Sequence, residues 1–313
     1  MFLWQRAPER ENKFYIACQK GDLEEVKTHL QNPELKFNEP SYYGQTPFQA
    51  ACEKGHPEIV KLLLEDKRVK LKKRDNKDRS TFFLACEGGN VEVVKLLLND
   101  PRVDVTKPAS NRRTPFYVAC EKGHLEVVKL LASDERIDIH QTNKNRKTPF
   151  YAACEEGRTE VVRFLLGCQG IDVNKEEYTL GATPFWIACE NGRTEIIKLL
   201  VHDPRVDINQ GNIEMITPLH MIAFYGYHEL LEHMLASQKE VLILEDSKKT
   251  TPIDLAMKRG RQREDFWESS EDNARKKQGC PKVVELLSAF LENPSRTRTE
   301  LRKKLGFIGN LFF

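Results

Sequence analysis

Six cysteines recur at almost constant spacing along this 313-residue chain, and that regularity restricts the fold more than any other feature. Cys18, Cys52, Cys86, Cys120, Cys154 and Cys189 are separated by 34, 34, 34, 34 and 35 residues. Disulfide frameworks and metal sites do not space their ligands so evenly, whereas internal repeats do. Gly21, Gly55, Gly89, Gly123, Gly157, Gly192, Gly226 and Gly260 keep the same register and extend the count to eight units. Thr46, Thr114, Thr148, Thr183, Thr217 and Thr251, each followed by proline, mark one further phase. Ser80-Thr81 and Asn12-Lys13 are its degenerate copies. A chain with 40% hydrophobic and 31% charged residues suits a core buried in thin, repeated layers.

Each unit reads as two short helices and a loop. Thr46 is a natural N-cap, Pro47 fits the first helical position, and Gln49 completes a capping box. The helix is predicted to run to Lys54 and to stop at Gly55, a residue suited to a left-handed C-terminal position. Pro57 and Glu58 open a second helix with Ile59, Val60, Leu62, Leu63 and Leu64 at helical spacing. The pattern recurs at Glu92–Leu98, Glu126–Leu131, Glu160–Leu166 and Glu195–Leu200.

A period of 34 is shared by tetratricopeptide units, but those carry a Trp, Leu-Gly and Tyr pattern and lack a long loop after the second helix. Here Thr217-Pro218-Leu219-His220 and the Thr-Pro-Phe starts precede Ala-Cys, Gly and Glu-Val-Val-Lys-Leu-Leu. These residues resemble the ankyrin repeat over roughly residues 12–290. The resemblance implies an all-α solenoid of stacked helix–turn–helix units with projecting β-turn fingers, used to bind other proteins. The histidine of Thr-Pro-Leu-His occurs only at His220; the slot otherwise holds Tyr15, Gln49, Phe83, Tyr117, Tyr151, Trp186 and Asp254. Aromatic packing between neighbouring units is expected in its place.

The organisation that follows is an N-terminal lead-in over 1–11, then repeats over 12–260 comprising seven full units and the start of an eighth. A charged insert occupies 261–280, the final helix of the last unit 281–295, and a tail 296–313. Lys27, Thr28 and His29 make the first unit's second helix polar, as a terminal unit requires. The insert, which contains Phe266 and Trp267, is compatible with an extended helical arm and with a flexible loop. The tail ends in Leu305-Gly306-Phe307-Ile308-Gly309-Asn310-Leu311-Phe312-Phe313 and is expected to fold back as a cap, with docking on a partner as the competing reading.

Catalytic and metal-binding readings find little support. Equivalent cysteines in stacked helices lie ~8–10 Å apart, too far for a disulfide or a shared zinc. Buried, inert thiols are expected in the ladder, with Cys168 and Cys280 outside it and exposed. His228 and His233 sit five apart, whereas a zinc-binding helix needs four. Phosphate loops, nucleophile elbows and dinucleotide fingerprints do not occur, so neither an enzyme nor a cofactor is expected. No stretch nears the ~18 apolar residues of a membrane span. The opening Met1-Phe2-Leu3-Trp4-Gln5-Arg6 turns polar too early for a signal peptide. A cytosolic monomer without a membrane partner is expected, with nuclear residence left open.

The candidate binding residues are those the repeat leaves on its concave side and fingers. Glu53, Glu87, Glu121, Glu155 and Glu190 each follow a ladder cysteine and form either a solvated face or a carboxylate stripe for a basic partner. The middle fingers carry Lys77, Arg79, Arg113, Arg146 and Lys147; the next two carry Tyr178, Leu180, Ile213, Met215 and Ile216. Phe224 and Tyr225 replace the Glu-Lys pair of earlier units. The apolar set is expected to anchor a protein partner that the basic fingers steer. Local packing of Ile213 and Ile216 is the alternative there. Nucleic acid or another polyanion on the basic fingers is the alternative function, although 49 Lys+Arg against 47 Asp+Glu give a net charge of only +2.

Overall fold

A computed structural model describes residues 12–261 and 270–307, which form two compact units divided between Lys144 and Asn145. The lead-in over 1–11, Phe266 and Trp267 of the insert, and the last six residues lie outside the described residues. In the first unit, α1 (Lys13–Lys20), α3 (Pro47–Lys54), α5 (Thr81–Gly88) and α7 (Pro115–Lys122) stack in sequence. Their partners α2 (Leu23–Leu30), α4 (Pro57–Glu65), α6 (Val91–Leu98) and α8 (Leu125–Ala132) form a second row. The second unit repeats this with α9 (Pro149–Glu155), α11 (Pro184–Glu190), α13 (Pro218–Tyr225) and α15 (Pro252–Arg261). Its second row is α10 (Thr159–Leu166), α12 (Thr194–His202) and α14 (His228–Ala236). The long α16 (Ser270–Glu292) and α17 (Pro294–Lys304) close the end. No strand occurs, and no helix is long and apolar enough to cross a membrane, among the described residues.

Local chemistry sets the helix ends as the sequence predicts. The Thr46 N–H donates to Gln49 Oε1 at 2.8 Å and the Gln49 N–H to Thr46 Oγ1 at 3.3 Å, the two bonds of a capping box. Gly55 ends α3 at φ 75°, a conformation that a side chain would strain. The ladder cysteines are fully buried and all are free thiols. Burial pushes the Cys18 thiol up to about 12 and the Cys52, Cys86, Cys154 and Cys189 thiols upward too, so none is a ready nucleophile.

Two recurring contacts bind layer to layer. Behind several of the C-terminal glycines a side chain reaches back to the preceding repeat. His56 Nε2 lies 3.0 Å from the Gln19 carbonyl, Asn90 Nδ2 donates to Gly55 O, and Arg193 Nε donates to Glu155 O. After the second helices, Arg68, Arg102, Arg136 and Arg205 each pair with an aspartate two residues earlier. Each also donates to a carbonyl at the end of the preceding second helix, Leu30, Leu64, Leu98 or Leu166, filling an acceptor the helix leaves open. Hydrogen bonding to these arginines holds the Asp66, Asp100, Asp134 and Asp203 carboxyls below their ordinary range.

In several repeats the histidine slot keeps a linking role with a different side chain in it. His220 Nδ1 accepts from the Thr217 N–H at 3.0 Å, so Nε2 carries the proton and donates to Thr250 O, also at 3.0 Å. Gln49 does both jobs, its Nε2 donating to Lys73 O at 2.9 Å. Trp186 Nε1 donates to Ile216 O at 2.7 Å, and Tyr15 Oη to Gln45 Oε1 at 2.8 Å. At Tyr15, Gln49, Trp186 and His220 a hydrogen bond thus ties the slot to the following finger.

Burial lowers the His220, His202 and His233 pKa values below the usual 6.5. The unfolded chain then binds more protons than the folded one, so stability is complete above about pH 6.5 and falls as acid approaches the lower folded values. His220→Gln should leave the thermal midpoint at neutral pH nearly unchanged, because glutamine already fills this slot at position 49. It should also reduce the drop in midpoint between neutral pH and about pH 5.5. Melting curves at the two pH values check both effects, and an undiminished acid loss would refute the role given to His220.

The last layer departs from the sequence expectation. α15 runs through Gly260 to Arg261 rather than stopping there, and α16 continues through Pro281 without a break. Cys280, expected to be exposed, is fully buried, with its Sγ 3.7 Å from the Ala223 carbonyl of α13. The reason is close approach. A Cβ on Gly279 would lie 2.0 Å from Gly226 O, so only glycine lets α16 settle on the end of α13. On α17, Arg298 and Arg302 donate to Leu235 O and Ala236 O at the end of α14, and Phe307 lies beside His202 and His233.

Candidate protein-interaction surface

The fingers take their shape from short turns held at their base. Asp75 Oδ1 accepts from the N–H groups of Lys77 and Arg79 at 3.0 and 2.8 Å. Asn212 Oδ1 accepts from Glu214 and Ile216, both at 3.0 Å. One residue in each tip is left-handed: Gly44, Asp78 and Arg112 in the first unit, Arg146, Gly181, Met215 and Lys249 in the second. A single backbone bond ties neighbouring tips. Asn76 N donates to Tyr43 O and Lys144 N to Asn111 O in the first unit. In the second, Tyr178 N donates to Asn145 O, Ile213 N to Leu180 O and Ser247 N to Glu214 O.

The glutamates behind the ladder cysteines are largely matched within their own repeats. Glu53 accepts from Gln45, Glu87 pairs with Arg79 at 2.5 Å, and Glu121 pairs with Arg113. In the second unit Glu155 pairs with Lys147 at 2.8 Å. Each polar partner lies eight residues earlier, at a finger base. An open stripe of carboxylates is thus not what Glu53, Glu87, Glu121 and Glu155 form, nor are Arg79, Arg113 and Lys147 unengaged steering charges. Lys77 and Arg146 are exposed, as are Lys72, Lys107 and Arg112 nearby in sequence.

Glu190 is the exception: its counterpart eight residues back is Ala182. Among the described residues it forms no ion pair, and burial together with the Glu155 carboxylate holds its pKa above the ordinary range, with Lys147 opposing.

The second unit's fingers are apolar at the surface. Tyr178 is 73% exposed, Leu180 42%, Ile213 70% and Met215 58%. Ile213 lies over Gly181, where an added Cβ would come within 2.9 Å of its Cγ2, so the two tips present one continuous patch. Ile216 is half-buried, held through its carbonyl by Trp186. Phe224 and Tyr225 do not belong to the patch. The Arg259 guanidinium stands 4.2 Å from the centre of the Phe224 ring, and Lys276 Nζ 5.2 and 5.4 Å from the Phe224 and Tyr225 rings. These cations from α15 and α16 occupy the faces that a partner would need.

Sequence reasoning also passed over Tyr42 and Tyr43, both exposed on the first finger with their rings edge to face at 5.4 Å. They stand 34 residues before Asn76 and Lys77, so the repeat register alone could have placed them at a tip. The family model described as ankyrin repeats in three copies matches residues 14–109, 99–177, 116–212 and 185–265. No curated protein matches the chain at a significant level.

Proposed function

The chain belongs to the ankyrin-repeat family, whose repeats generally serve protein–protein interaction, and on that premise we propose that it is a non-catalytic scaffold gripping a protein partner through its fingers. The observation that carries this reading is the apolar patch of Tyr178, Leu180, Ile213 and Met215. Large apolar side chains at loop tips are costly in water, and a contiguous group of them marks a contact surface. Trp186 and the bonds between neighbouring tips hold these side chains on a fixed frame, which lowers the ordering cost of binding.

The test is recovery of partners by the wild type and by a Tyr178→Ala, Ile213→Asp double variant, at low and high salt. Proteins held by the wild type at both salts should be lost from the variant, with affinity reduced at least about tenfold. Retention of the same proteins by a folded variant rejects the anchor. The exposed Lys72, Lys77, Lys107 and Arg112 favour a second reading, binding of a polyanion by the first unit. It would appear as nucleic acid that is recovered at low salt and released steeply as salt rises.

A further inference from the structure

Basic and aromatic side chains meet on the fingers of the first unit. The first finger turns at Tyr42-Tyr43-Gly44, with Tyr42 77% and Tyr43 66% exposed, so both rings are open to solvent. The next finger is bound to it: Asn76 N donates to Tyr43 O at 3.1 Å and Asn76 Nδ2 to Tyr42 O at 3.2 Å. Lys77 thus directly follows the residue that holds both tyrosines. The third finger is bound in turn, Ser110 Oγ donating to Lys77 O at 2.9 Å and Arg74 Nη2 to Pro108 O at 3.2 Å. Lys107 and Arg112 flank those contacts, and Lys72 stands two residues before Arg74.

The carboxylates of these loops are engaged. Arg79 and Arg74 take Asp75 and Asp78, Arg102 takes Asp100, and Asp104 accepts from Thr106. Lys72, Lys77, Lys107 and Arg112 are exposed and form no ion pair among the described residues. A row of unmatched cations attracts a polyanion. The tyrosines narrow the choice. Paired bases in a duplex keep their faces against one another, whereas an unpaired base offers its face to an aromatic ring. Acidic side chains would satisfy the cations, but they gain nothing from the negative faces of the rings.

We propose that the first unit's fingers bind single-stranded nucleic acid. Bases stack on Tyr42 and Tyr43, and the phosphates run past Lys77 and Lys72 towards Lys107 and Arg112. The proposal rests on the polyanion reading of this unit and adds to it the strandedness and the residues that select it.

The probe is a short fluorescein-labelled oligothymidylate titrated with the full chain, beside a duplex of the same length. The single strand should bind more tightly, with a log–log salt slope of about −3, as about four engaged phosphates require. Tyr42→Ala with Tyr43→Ala should weaken it about tenfold or more without changing that slope. Tyr42→Phe with Tyr43→Phe should keep full affinity, because stacking needs the ring and not the hydroxyl. Lys77→Glu with Arg112→Glu should weaken binding and flatten the slope, whereas Lys61→Glu with Lys95→Glu, on exposed positions of α4 and α6, should change little. Circular dichroism verifies that each variant is folded. Equal affinity for the duplex, full affinity in the alanine variant, or preference for polyglutamate over oligothymidylate overturns the proposal. If the charge reversal weakens single strand and duplex alike and the alanine variant does not, the polyanion reading stands and only the stacking site falls. If neither nucleic acid binds, both readings fall.

Discussion

Leu97→Asp should unfold the first unit at temperatures where the wild-type chain is fully folded. Leu97 lies on α6 with no exposed surface, beside the equally buried Val93 and Val94. Removing the leucine forfeits about 1.5–3 kcal/mol of burial. A carboxylate placed there without a partner adds several kcal/mol more, or must take up a proton. Together these approach the ~5–15 kcal/mol that holds a typical domain. α6 packs on α4, α5 and α8, so the damage crosses layers rather than remaining in one repeat. The midpoint of the helical circular-dichroism signal should fall by about 10 °C or more. A fall of a degree or two would mean that Leu97 does not face the core.

That expectation needs only the sequence, because the interior position of Leu97 follows from the helical spacing of Val93, Val94, Leu97 and Leu98 within a repeat copied many times. Caps were legible for the same reason: Thr46, Pro47, Gln49 and Gly55 act within one helix, and their hydrogen bonds span a few residues. The ion pairs were not. Arg79 with Glu87, and Lys147 with Glu155, join a finger base to the far end of the next helix, a meeting that depends on how the loop folds back. Read along the chain, the glutamates looked like one stripe and the basic residues like another; in space Glu87, Glu121 and Glu155 are each neutralised by a basic finger-base residue. Glu190 becomes distinctive only once that pairing is known, since nothing local distinguishes it from Glu155. Phe224 and Tyr225 misled for a related reason. Their exposure depends on Arg259 and Lys276, one repeat and one insert away, which no periodicity within the repeats could align.

The end of the stack yields to a smaller change. Gly279→Ala adds a single methyl group, and helix propensity alone would make it stabilising by up to about 1 kcal/mol. Sterics oppose this, because the added carbon would sit 2.0 Å from the Gly226 carbonyl oxygen, and backbone cannot swing aside as a side chain can. α16 must therefore lift from α13, loosening Cys280, Val283 and Leu287, which are fully buried against the last layer. Overpacking of this kind costs roughly 1–3 kcal/mol, more than propensity returns. The loss should be local, since a terminal layer has a neighbour on one side only. Alkylation by iodoacetamide mapped by mass spectrometry separates local opening from global unfolding. Cys280 should become reactive in the variant while Cys154 and Cys189, deeper in the same unit, stay protected. A raised melting midpoint with Cys280 still unreactive would show that α16 does not rest on glycine contacts. Uniform reactivity of all three thiols would show instead that the end layer supports the whole unit.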